Sequence, residues 1–188
     1  MSRELVTAIS VGSMLAYALA AYRVRARAKR DRPPTVAKAG GLARTLPFFI
    51  WVPYVVIALR PGPELETAEP LRWAGLALIV AGVLLMIWSA ATLGRHFDVE
   101  VEVHGEHEVV RRGPYGVVRH PIYSGIALHF LGACLATGNV VLLAGTLLVS
   151  FPVLYQRATA EETLLRRELG GAYDRYAREV PMLIPSIR

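Results

Sequence analysis

Several groups of residues in this 188-residue chain have types and spacing that chemistry can use. Arg119, His120 and Pro121 stand together before an apolar run. Proline suits the first turn of a helix, and the open amides of a helix start attract an anion. Tyr115 and Tyr123 flank that turn, either to stack on a flat ring or to anchor a membrane interface. Arg157 and Glu161 are four residues apart and share one helix face, with Glu162 beside them. They are either a solvated ion pair or, at a membrane boundary, charges kept for function. His96, His104 and His107, with Glu106 and Glu108, match no helical ligand pair or finger spacing, so no metal site is expected. His129 reads as a hydrogen-bonded residue within a helix bundle. The single cysteine, Cys134, reads as small apolar filler and excludes a disulfide framework. GxGxxG, Walker and GxSxG motifs are absent, which leaves soluble nucleotide-binding and hydrolase folds unsupported.

The elements that must position these residues are membrane helices. The chain is 54% hydrophobic and 19% charged, and its apolar residues gather into five blocks. About 20 apolar residues cross a hydrocarbon core of about 30 Å. Spans are predicted over residues 5–22, 40–59, 73–93, 122–138 and 140–156, the last two forming a tight hairpin about Asn139. The first run also resembles a secretory signal, but the six basic residues of 23–32 resist translocation and favour a retained helix. The result is an all-α integral membrane protein of one domain over 1–188, with five transmembrane helices.

The net charge of +6 does not indicate a nucleic-acid partner, because the basic residues fall between apolar blocks instead of forming a stripe with aromatics. They act as topology signals. Residues 23–44, 94–121 and 156–188 hold 18 Lys and Arg, and the opposite side holds 3, which predicts an outside N-terminus and a cytoplasmic C-terminus. The loop 94–121 alternates apolar and polar residues from Val99 to Val103, as a short hairpin or extended segment would. Leu164, Leu165, Leu169 and Tyr173 recur at helical spacing, predicting an amphipathic helix that continues span five.

The runs LGRHF (93–97), HEVVRRGPYGVVRHPIYSG (107–125) and RATAEETLLRRELGGAYDRYAREVP (157–181) resemble the isoprenylcysteine carboxyl methyltransferase family. That family is related to the phospholipid N-methyltransferases. The resemblance covers the last half of the chain. It implies a membrane enzyme using S-adenosylmethionine, with S-adenosylhomocysteine as product, in a cytoplasmic pocket built from 94–125 and 157–181. By the same resemblance His107, Glu108, Val109 and Val110 line the cofactor. Tyr115 contacts it, and His120, Pro121, Ile122 and Tyr123 form a binding segment. Glu161 is the carboxylate that holds the cofactor, and Arg157 lies near the substrate.

The residues themselves agree with that implication. S-adenosylmethionine carries a carboxylate, an ammonium and an adenine, for which helix-start amides, Glu161 and Tyr115 are suitable partners. A lipophilic small molecule or a prenylated substrate would then enter sideways from the bilayer, with Arg157 orienting an anionic nucleophile. Methyl transfer to phospholipid amines or small thiols is an alternative. So is an NADPH-dependent membrane reductase, because RHPxYxG occurs in sterol reductases too. A non-catalytic scaffold meeting anionic lipid through residues 23–32 is a third. The first half carries no comparable motif, so the acceptor and the oligomeric state stay open.

Overall fold

The computed structural model describes residues 2–28, 35–38, 52–59, 61–97, 102–104 and 109–186. Helix α1 (Arg3–Ala28) outruns the predicted first span because no breaker follows Tyr22, so Arg23, Arg25 and Arg27 extend it. Its inward stripe is Val6, Ser10, Met14, Tyr17, Ala21, Val24 and Ala28, at the three- and four-residue steps of one helix face. Leu15, Leu19 and Tyr22 point outward, as lipid-facing residues should. Of the predicted second span only α2 (Val52–Leu59) falls within the described residues. Helix α3 (Glu69–Leu93) matches the third span, starts with Pro70 in its first turn and ends at Gly94. Trp73 and Trp88, near its two ends, are both exposed, where indoles settle at membrane interfaces.

Helix α4 (Pro121–Thr137) is the centre of the bundle, and most of its residues are buried. It stops at Gly138, whose φ of +64° belongs to the left-handed region that glycine occupies without strain. Asn139 caps the next helix, its side-chain oxygen accepting from the Leu142 amide at 2.8 Å. That helix, α5 (Val140–Leu169), is one continuous rod of 30 residues. The predicted fifth span and the predicted amphipathic extension are therefore parts of a single element. A π turn at Thr146–Ser150 interrupts its regular winding. Each inserted residue turns the following side chains by roughly 100° about the axis, so the π turn sets which face carries Arg157 and Glu162. Gly170, at φ +52°, breaks the rod, and α6 (Gly171–Glu179) folds back.

Three described helices, Glu4–Ala28, Glu69–Leu93 and Val140–Leu169, are long and apolar enough to cross a membrane, and Pro121–Thr137 is a shorter apolar helix. The one departure from an all-helical chain among the described residues is an antiparallel ribbon of β1 (Thr35–Lys38) and β2 (Glu102–His104). Of the extended segment expected over Val99–Val103, Glu102 and Val103 fall in β2, whose partner is β1, and residues 99–101 lie outside the described residues.

The two ends of the bundle differ. At one end the α2–α3 loop meets the α4–α5 turn. The Leu65 amide donates to the Gly138 carbonyl at 2.8 Å, and Asn139 Nδ2 donates to the Pro61 carbonyl at 3.1 Å. At the other end lie the ribbon, the turn before α4 and the C-terminal segment.

Lipid is as apolar as a leucine side chain, so close packing, not the hydrophobic effect, holds such helices together. Here α3 and α4 cross on two glycine pairs. A Cβ at Gly82 would stand 2.5 Å from the Gly125 carbonyl oxygen, and one at Gly132 would stand 2.5 Å from that of Gly75. Gly82→Val is therefore expected to cost about 1–3 kcal/mol, seen as a lower thermal midpoint in detergent. Gly12→Ala on α1, where an added Cβ meets nothing within 4 Å, is expected to leave that midpoint unchanged or raise it.

Candidate functional site

The site is assembled where the start of α4, the end of α5 and the C-terminal segment meet. Its anchor is Glu162, only 4% exposed. Arg119 Nε donates to Glu162 Oε1 at 2.6 Å, His120 Nε2 lies 3.3 Å from the same oxygen, and Arg166 Nη2 lies 3.0 Å from Oε2. Arg119 uses its other edge on the tail, with Nη1 donating to the carbonyls of Ala177 at 2.9 Å and Val180 at 2.5 Å. The backbone continues the clasp. The Arg119 and His120 amides donate to the Pro181 and Met182 carbonyls at 2.8 and 3.0 Å, and Ser124 Oγ donates to the Leu183 carbonyl at 2.6 Å.

One turn earlier on α5, Arg157 and Glu161 are joined through a single phenol. Arg157 Nε donates to Tyr123 Oη at 2.9 Å, and Tyr123 Oη donates to Glu161 Oε2 at 2.8 Å. Arg157 is 5% exposed, whereas the Glu161 side chain is 33% exposed and open to a ligand. The His120 ring stacks on Tyr123 with centroids 5.5 Å apart, and its Nδ1 lies 3.8 Å from Glu161. One buried imidazole therefore faces both glutamates.

Tyrosines close the other side. Tyr115 is buried in the short turn Gly113–Gly116, and its carbonyl accepts from Tyr176 Oη at 2.7 Å. Burial, reinforced by the nearby Glu161 charge, holds the Tyr115 phenol neutral far above the ordinary tyrosine range. Burial also pushes Tyr176 up to about 12, against the lowering influence of Arg119 and Arg111. Arg111 pairs with Glu179 at 2.7 Å and lies over the Tyr176 ring at 5.4 Å, fastening α6 to the turn.

Of the residues singled out in the sequence, Tyr115, His120, Tyr123, Arg157 and Glu161 converge here. Pro121 is fully buried at the start of α4, and Ile122 is half-buried between the main core and a smaller cluster of Ala21, Ala90 and Phe97. Val109 and Val110 are half-buried in the irregular segment leading to the turn, while His107 and Glu108 lie outside the described residues. Sequence reasoning passed over the parts played by Arg119, Glu162, Arg166 and Tyr176. The four-residue step from Glu162 to Arg166 was a signal for one of these pairs. Among the described residues no three His, Cys, Asp or Glu side chains gather to hold a metal ion.

This donor set fits S-adenosylmethionine. Glu161 is a partly open carboxylate suited to an ammonium. The Arg119 and His120 amides are taken by the tail, which leaves those of Ile122 and Tyr123, in the first turn of α4, to meet a carboxylate. Glu162 is already neutralised by its three partners, so Glu161 is the acid with capacity to spare.

A membrane-embedded helical protein with an acid, a guanidinium and phenols gathered at one end of its bundle belongs to a narrow class. The family profile described as phospholipid methyltransferase matches residues 71–172, and the chain belongs to that family. It is 29% identical over 127 residues to a probable protein-S-isoprenylcysteine O-methyltransferase of Oryza sativa subsp. indica, covering 66% of each chain. It is 32% identical over 116 residues to the protein-S-isoprenylcysteine O-methyltransferase of Schizosaccharomyces pombe, covering 61% of this chain and 49% of that one. A nickel-cobalt-cadmium resistance protein of Alcaligenes xylosoxydans xylosoxydans is 29% identical over 142 residues, or 73% of this chain and 64% of that one. The chain thus spans about half to two thirds of these relatives. The resemblance read from the motifs of 107–125 and 157–181 is borne out by the family profile and by the methyltransferase names of the Oryza sativa and Schizosaccharomyces pombe relatives.

Two predictions follow from the clasp. Removing one partner of a buried pair strands the other, so Glu162→Gln is expected to destabilise by about 3–5 kcal/mol in detergent unfolding. Combined with Arg119→Ala, the loss should fall well short of the sum of the two single losses. Tyr176 titrates higher in the folded protein than in the unfolded chain, so its contribution is whole below about pH 10 and is lost as pH rises through about 12. Tyr176→Phe is accordingly expected to flatten the fall in stability over that alkaline window, as read by unfolding at stepped pH.

Proposed function

We propose that this chain is an integral membrane methyltransferase that uses S-adenosylmethionine and methylates a lipophilic carboxylate, in the manner of isoprenylcysteine carboxyl methyltransferases. The observation that carries this reading is the Arg157–Tyr123–Glu161 chain. A buried cation and a partly open anion are held one phenol apart. The cation suits an acceptor anion and the anion suits the cofactor ammonium.

Held at Glu161 and the first turn of α4, S-adenosylmethionine would supply a sulfonium methyl that an acceptor carboxylate oxygen can take, with the C–S electron pair left on sulfur and no proton moved. The residues of this chain then have three tasks. Arg157 orients the acceptor carboxylate by charge-assisted hydrogen bonding. Tyr123 fixes the spacing between Arg157 and Glu161. Ile122, packed against Phe97, gives the site an apolar side that keeps water away. Opposite charges cancel as the methyl moves, so a dry, weakly polar site favours the transfer and needs no general base. A protonated amine acceptor would lose on both counts, through repulsion by Arg157 and through the proton it must shed.

The five-span arrangement is part of the proposal, as is a cytoplasmic site with the N-terminus outside. It is supported by the two unlike ends of the bundle. The acidic loop with Glu64, Glu66 and Glu69 meets the α4–α5 turn at one end. At the other, β1 and β2 pair beside the last turns of α5, and Arg119 joins the tail.

The test is calorimetric titration of S-adenosylhomocysteine into detergent-purified protein, with NADPH in parallel. Saturable binding of the former alone is expected. Glu161→Gln is expected to weaken it about tenfold or more, and Arg157→Ala to leave it near wild type while lowering kcat/KM for the acceptor about 10–100-fold. Binding of NADPH alone would turn the reading to a reductase, and silence from both in folded protein to a scaffold. Loss of cofactor affinity in Arg157→Ala with acceptor use unaltered would overturn the role given to Arg157.

A further inference from the structure

Glu161 and Glu162 are neighbours in the chain, yet one imidazole stands between their side chains. His120 occupies the N-cap position of α4, and its ring is buried. Nε2 lies 3.3 Å from Glu162 Oε1, and Nδ1 lies 3.8 Å from Glu161 Oε2. The ring is held in that plane by Tyr123, on which it stacks at 14°, and the backbone beneath it by the Met182 carbonyl. The charged and titratable groups about it have their own partners. On α5, Arg166 pairs with Glu162 and Arg157 donates to the Tyr123 phenol. The turn before α4 brings Arg119, which is spent on Glu162, and the buried phenol of Tyr115. From α6, the Tyr173 ring lies 5.8 Å from the Arg166 guanidinium. The tail residues Pro181, Met182 and Leu183 carry no titratable side chain.

The position of the ring hydrogen follows from these contacts. Glu162 Oε1 also accepts from Arg119, so it has no hydrogen to give, and a neutral His120 carries its hydrogen on Nε2. Nδ1 then presents a lone pair to Glu161, which stays uncommitted on that side. A second proton reverses this. Nδ1–H becomes a cationic donor aimed at Glu161 Oε2, and a small movement of the partly open Glu161 side chain brings the pair within hydrogen-bond range.

We infer that His120 is a positioning residue whose protonation governs the ammonium site: neutral, it leaves Glu161 to the ammonium of S-adenosylmethionine, and protonated, it takes Glu161 for itself. This rests on the methyltransferase reading above. The ring proton and the ligand ammonium compete for one carboxylate, so each expels the other. Affinity for the cofactor therefore falls as pH falls, and binding under acidic conditions releases a proton to solvent.

S-adenosylhomocysteine keeps the amino acid group of the cofactor and is the probe, titrated by calorimetry into detergent-purified protein. Wild-type affinity is expected to fall about five- to tenfold between about pH 7.5 and about pH 5.5, with a binding heat at the lower pH that follows the ionisation enthalpy of the buffer, as proton release requires. His120→Gln, whose amide reaches the Nε2 position and takes no second proton, is expected to hold its affinity to within about twofold over the same range. A flat wild-type profile would overturn the inference. An equal fall in His120→Gln would overturn it too, by placing the titration on another group. If that variant does not fold, wild-type protein labelled at its histidine nitrogens decides by magnetic resonance. A neutral His120 with hydrogen on Nε2, whose Nδ1 gains a proton on acidification less readily once S-adenosylhomocysteine is bound, is expected, and hydrogen on Nδ1 of the neutral ring would overturn the inference. Failure of wild-type protein to bind S-adenosylhomocysteine at either pH would bring down the underlying methyltransferase reading instead.

Discussion

The arrangement of this molecule turns on a buried carboxylate. Glu162 lies where α5 leaves the apolar bundle, and a bare charge there would be too costly to keep. Three cationic or hydrogen-bonding side chains resolve the cost, and each belongs to a different piece of the site. Arg119 brings the turn before α4 and, through its second edge, the tail. His120 brings the N-terminal cap of α4, and Arg166 brings the last turns of α5. The pair is therefore less a source of net stability than a means of fixing register. Its geometry dictates where Tyr123 and Tyr115 stand, and those two tyrosines define the chemistry on the neighbouring face.

The contact between α3 and α4 is the second constraint, and it is of another kind. With no solvent to drive helices together, the backbones must approach closely enough for dispersion to hold them, and only glycine permits that at Gly75, Gly82, Gly125 and Gly132. The consequence reaches the site because α4 begins with His120 and Pro121. A shift in the crossing would move the Tyr123 hydroxyl relative to Arg157 and Glu161, whose hydrogen bonds of 2.9 and 2.8 Å leave little slack. Packing deep in the bundle and polar geometry at its end are thus one mechanical system.

Much of this was legible in the sequence, for reasons that can be named. The third and fourth spans are long uncharged runs bounded by Pro70 and Gly94, and by Pro121 and Gly138, residues that start and stop helices by their own backbone restrictions. The Arg157–Glu161 step predicted a shared face, and Tyr123 joins the two there. The rest depended on distant contacts. Glu162 is one residue from Glu161 but about a quarter-turn away around the helix. Which of the two is buried was settled by where the tail returns, and by a π turn that no periodicity announces. The Val99–Val103 alternation overlaps β2 at Glu102 and Val103, but the partner β1 lies more than sixty residues earlier in the chain, beyond the reach of local pattern.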